Sequence, residues 1–102
     1  MKTPKIGSIS KGTFLNSDLI PEFLDAVREY APDHYIGLMA APFGPIPAYV
    51  MDEGADSSWW TSLEAMELRV QLEDILNECA PEGAYFGAHH GNDSDFGFWL
   101  YE

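Results

Sequence analysis

The sequence predicts an α+β fold, two helices packed on one face of a mainly antiparallel four-stranded sheet. Three observations carry that prediction. Two stretches repeat apolar residues at helical spacing. Each ends in Ala-Pro and is followed by two short runs rich in Val, Ile, Phe, Tyr and Trp, with Gly, Pro, Asn or Asp between the runs. With 102 residues, 46% of them hydrophobic, the chain has material for one substantial core and not for two. Residues 1–102 are therefore read as a single domain.

The first helix lies in NSDLIPEFLDAVREYAP. Ser17 or Asp18 is placed to cap it, Pro21 falls in the first turn, where a missing N–H costs little, and Pro32 stops it. Leu19, Ile20, Phe23, Leu24, Val27 and Tyr30 form its apolar face. HYIGLMAAP and PAYVMDE then read as strands on either side of a stiff loop, PFGPIP. The second helix lies in TSLEAMELRVQLEDILNECAP, where Thr61 and Glu64 have the spacing of a capping box. Ala65, Leu68, Leu72, Ile75, Leu76 and Cys79 form its stripe, which Leu63, Met66 and Val70 widen, and Trp59 and Trp60 are placed to fold back over the same core. AYFGAHH and DFGFWLYE read as the last two strands, joined by the turn residues GNDS, and KIGSIS near the start suits a further short strand.

A shift of 49 residues lays Leu19 on Leu68, Phe23 on Leu72, Val27 on Leu76 and Ala31-Pro32 on Ala80-Pro81. The pattern suggests a pseudo-duplicated αββ unit with half-repeats 17–53 and 61–102. Chance alignment of two amphipathic helices is the competing explanation.

Seventeen acidic residues face five basic ones, a formal charge of −12. Such a field opposes approach to DNA, RNA and anionic membranes, and favours a basic protein partner. No run approaches the about 18 apolar residues of a membrane span, and the single Cys79 allows no internal disulfide, so the expected compartment is the cytoplasm.

The acid is ordered. Asp18, Glu22, Asp25 and Glu29 follow steps of four, three and four along the first helix, and Glu64, Glu67, Asp74 and Glu78 share one face of the second, with Gln71 filling the gap between Glu67 and Asp74. Carboxylates at these spacings sit ~5–6 Å apart and repel, so the rows do not serve helix stability. If the two helices lie ~8–10 Å apart, the rows form two lines with the sign and spacing of a phosphate backbone. The leading expectation is thus a non-enzymatic interaction module in which Asp18, Glu22, Asp25, Glu29, Glu67, Asp74 and Glu78 engage a basic partner, with nucleic-acid mimicry as one form of it. A merely solvated surface is the plainer alternative.

GAHHGNDSDFG carries the other candidate, a metal site made of His89, His90, Asp93 and Asp95. Adjacent histidines on a strand point to opposite faces, and neither the HExxH spacing nor an EF-hand is present, since the twelfth position counted from Asp93 falls beyond Glu102. Turn chemistry explains the same residues. Cys79 lies on an apolar helix face and reads as a buried small hydrophobe, and no phosphate-binding, dinucleotide or serine-nucleophile motif occurs. No catalytic residue and no cofactor is expected. On the last strand Gly97, Trp99 and Tyr101 alternate with Phe96, Phe98 and Leu100, so one sheet face offers aromatics to a partner or to a second copy in a homodimer.

APEGAYFGAHHGNDSDFGFW, DLIPEFLDAV and GPIPAYVMDEG resemble small acidic proteins of unknown function encoded by phage, plasmids and other mobile elements. The resemblance implies no activity or cofactor. It implies an accessory role, such as modulating a host or defence system.

Overall fold

An aromatic layer joins two helices, α1 (Asn16–Tyr30) and α4 (Leu63–Cys79), to one face of a three-stranded antiparallel sheet. The structure is a computed structural model that describes residues 3–40 and 45–101. Along the chain come β1 (Gly7–Lys11), α1, α2 (Pro32–Met39), α3 (Ala48–Glu53), 3₁₀ turns at Gly54–Asp56 and Ser58–Thr61, α4, β2 (Ala84–His89) and β3 (Asn92–Leu100). The strand order is β1-β3-β2, so the last strand is the central one.

Phe23 of α1 is fully buried and meets Phe86 of β2 and Phe96 of β3 at ring-centroid distances of 5.1 and 5.7 Å, both edge-on. Phe98 continues the layer against Phe86 at 5.1 Å and Tyr30 at 5.7 Å. Each such pair is worth about 0.5–1.5 kcal/mol beyond the area it buries. Leu19, Ile20 and Val27 complete the inner face of α1, and Ala65, Leu68, Leu72, Ile75 and Leu76 that of α4. The two helices run in the same direction. Asn16, which opens α1, binds the Trp60 carbonyl and the Arg69 guanidinium, whereas the Cys79 thiol near the end of α4 lies 3.8 Å from the Tyr30 carbonyl at the end of α1.

The expected four-stranded sheet on two helices is not what forms. In place of the two expected strands, residues 34–39 belong to α2 and Ala48–Glu53 forms α3, and the third strand of the sheet is β1, from the KIGSIS segment. Pro32 does end α1, but with its fixed φ it also opens α2, where Asp33 favours the first turn. Gly54, at φ 72°, closes α3 in a conformation that a residue with a Cβ rarely adopts. The duplication falls with the strands: Phe23 and Leu72 are equivalent core positions, yet α1 leads into two further helices and α4 into a hairpin. Ala41 to Gly44, including Phe43 of the stiff loop, lie outside the described residues.

Local capping also departs from the sequence reading. Ser62, not Thr61, caps α4, its hydroxyl accepting from the Ala65 N–H at 3.2 Å. Trp59 and Trp60 do turn back into the core, packed edge-on at 5.2 Å. Leu63, Met66 and Val70 do not widen the buried stripe; all three are exposed.

Both sheet edges are guarded. The Phe86 N–H, on the free side of β2, donates to the Asn77 side chain of α4 at 3.0 Å, and the Ala88 carbonyl accepts from the Tyr85 hydroxyl at 3.1 Å. β1 is five residues long and bulges at Ile9. Its approach to β3 requires Gly97, because a Cβ there would lie 2.1 Å from the Gly7 carbonyl oxygen.

Two substitutions test this account by urea denaturation. Phe23→Ala is expected to cost about 3–5 kcal/mol, the loss typical of a large aromatic removed from a closed core. Gly97→Ala is expected to cost about 3 kcal/mol by forcing β1 off β3.

Candidate functional site

The acidic rows reach solvent as the sequence predicts. Asp18, Glu22, Asp25 and Glu29 on α1 and Glu64, Glu67, Asp74 and Glu78 on α4 are all exposed. Two of them sit in the first turn of a helix, where its dipole favours a carboxylate. Asp18 accepts from the Thr13 hydroxyl at 2.8 Å, and Glu64 accepts from the Trp59 indole at 3.2 Å. Glu29 and Glu78 sit in the last turns, where the dipole disfavours them. Because the helices are parallel, those two unfavourable ends fall at the same end of the molecule.

The rows do not lie side by side. Gly37 and Leu38 of α2 face Glu64, Glu67, Leu68 and Gln71 of α4 across a cavity of about 340 Å³. Tyr35 and Met39 of α2 face Pro21, Leu24 and Asp25 of α1 across another of about 420 Å³. α2 therefore rides over the groove between α1 and α4, with one acidic row on each flank. Its exposed residues include Ile36 at 64% and Met39 at 48% beyond the polar first turn of Asp33 and His34, and Tyr49 and Met51 of α3 are exposed as well. This crest was hidden by the strand reading of the same residues. Pro32-Asp33 as a helix opening and Gly54 as a helix stop were the signals that could have found it.

The histidine loop is built as a turn. His90 and Gly91 form a two-residue connection between His89 and Asn92, which pair across the hairpin, so Asn92 and Asp93 belong to β3 and not to the turn. The Gly91 N–H donates to Nδ1 of His89 at 2.9 Å, and the His89 ring stacks on His90 at 4.7 Å and stands edge-on to Trp99 at 4.5 Å. Nδ1 of His90 lies 3.4 Å from the Tyr85 hydroxyl. Asp95 is turned the other way, buried and accepting from the Ser8 hydroxyl of β1, while Asp93 is exposed. The four residues do not converge. Among the described residues no group of three or more His, Cys, Asp or Glu side chains is arranged to hold a metal ion.

A cavity of about 630 Å³ opens where α1 and α4 end, lined by Asp33, His34, Glu78, Cys79 and Glu82 with Tyr30 and Pro4. Burial pushes the Cys79 thiol pKa up, and the neighbouring Glu78 carboxylate pushes it further the same way. A nucleophilic cysteine needs the opposite shift. Hence the cavity holds a thiol kept protonated rather than an activated one.

Comparison with protein-family models, with curated proteins and with solved structures finds no match. The reading of this surface rests on its own geometry.

The raised thiol pKa gives a pH dependence of known sign. The thiol's contribution to folding stability is complete below its ordinary value and is lost as pH rises from there through the raised value, because the unfolded chain ionises first. Alkylation of native Cys79 should be slower than in denaturant, with its rate rising at higher pH. Glu78→Gln should move that profile part of the way back, since burial is the larger cause; rates followed with iodoacetamide across pH check both.

Proposed function

We propose that this chain is a non-enzymatic protein-interaction module whose acidic helical side engages a basic partner protein. One observation carries the reading: two ordered rows of carboxylates, some placed where helix dipoles oppose them, are kept exposed on both flanks of α2. Like charges stacked at repelling spacings are more simply explained by a partner than by folding. The surface that this charge complements is the kind that also binds nucleic acid, so DNA or RNA should compete for the partner even though the chain itself repels both. Separation of the rows by α2 weakens the case for literal mimicry of a duplex and leaves the general case for a basic partner intact. The resemblance to acidic mobile-element proteins supports an accessory role directed at a host or defence protein.

A second reading has its own observation. Tyr85, His89, Trp99 and Tyr101 line the sheet face opposite α1 and α4, with Tyr101 66% exposed, and a second copy of the chain is a natural cover for such a face. Mass measurement in solution separates a homodimer from a monomer directly.

For the first reading, Asp25→Lys with Glu29→Lys should weaken capture of a basic nucleic-acid-binding protein from host lysate by roughly tenfold or more at low salt. The far-UV spectrum should not change. Equal capture by both proteins, or capture that nucleic acid does not reverse, would remove it.

A further inference from the structure

The cavity between α1 and α2 is lined by Leu24, Tyr35, Met39, Ile46, Met51 and Trp60, with Asp25 at its rim. At about 420 Å³ it lies within the range of ligand pockets, and its wall is mainly apolar, with Asp25 and Tyr35 as its polar side chains. Trp60 is buried there, and its indole N–H is already given to the Gly54 carbonyl at 2.9 Å, so its ring adds only apolar surface. Met39 and Met51, by contrast, are largely exposed. Methionine is unbranched and polarisable, and exposed methionines around an apolar recess suit a partner side chain that must be accommodated rather than matched.

Position joins this recess to the charge. Asp25 belongs to the α1 row, with Glu22 and Glu29 at neighbouring turns, and Glu64 and Glu67 face α2 from the other side. An apolar pocket with a carboxylate at its rim, on a side of the molecule where carboxylates outnumber the exposed arginine, Arg28, is the arrangement of an interface anchor beside steering contacts. The guarded edge of β2 gives a partner strand little to pair with, whereas a groove between helices accepts a helix. We propose that the α1/α2 cavity takes one bulky apolar side chain from a basic amphipathic helix of the partner. The proposal rests on the acidic-surface reading and adds to it the site that fixes register.

Three synthetic peptides of equal length test it against the full chain. One is a lysine-rich amphipathic helix with a central phenylalanine; the second keeps its lysines but has serine in place of every apolar residue; the third exchanges the lysines of the first for glutamate. Binding is read by anisotropy of the labelled peptide and by methyl NMR of the protein's methionines. The first peptide should bind roughly tenfold more tightly than the second, and the third should not bind. Only the first should shift the Met39 and Met51 methyls, and Met39→Glu or Met51→Glu should reduce its affinity to that of the second.

Equal affinity of the first two peptides, with both methyls unmoved, would overturn the anchor and leave the acidic-surface reading standing. Failure of both lysine peptides to bind would remove that reading and the anchor with it. A shift at Met66 in place of Met39 and Met51 would put the helix on the exposed stripe of α4 and overturn the proposal. The methyl readout on unmodified protein decides the question even if a glutamate variant fails to fold.

Discussion

The contact of Phe23 with Phe86 and Phe96 is the one on which the rest of the molecule depends. It is the point where a helix that precedes the crossover meets two strands that follow it, so it ties the two halves of the chain together. Once that layer is filled, the inner faces of α1 and α4 and the inner face of the sheet are used up. Nothing of comparable area is left to cover α2 and α3, which bury Val50 and parts of Tyr35 and Leu38 and leave Ile36, Met39, Tyr49 and Met51 in water. The apolar crest is thus a consequence of how a small domain spends its limited interior.

The same geometry organises the charge. A long crossover through α2 and α3 allows α1 and α4 to run parallel, a direction that a short loop between adjacent helices would not permit. Parallel alignment gathers both helix C-termini, Glu29, Glu78 and Glu82 at one end, and it holds Cys79 in that environment with its thiol protonated. Along the helices the carboxylates flank an apolar ridge, so sign and hydrophobicity vary together across one side of the molecule. A partner that matches one property must match the other to bind well.

Much of this was legible in the residues, and the failures have a common cause. The helical stripes of α1 and α4 and the aromatic alternation of β2 and β3 were clear because each of those elements buries one face and wets the other. α2 and α3 gave no such period. At eight and six residues they are too short to repeat a helical period, and Tyr, Ile and Val in a short run favour the strand template. The acidic residues of the two rows are exposed, since exposure follows from the same stripes. Their separation could not be found without knowing that α2 lies between them. At the histidine loop the residues do not show the register, because Asp93 to Asp95 bulge out of the pairing with β2 while Asp95 pairs with Lys11 of β1.

The Asn77 side chain that occupies the Phe86 N–H has a consequence for the life of the chain before it is folded. The cap comes from α4 and not from the sheet itself. While α4 is undocked, the hairpin shows an open strand edge and its inner phenylalanines at once, the two features that lead chains to associate with one another. Docking of the helix closes both in a single step. Solubility during synthesis therefore depends on how soon residues 63–79 settle onto the hairpin that the ribosome delivers after them.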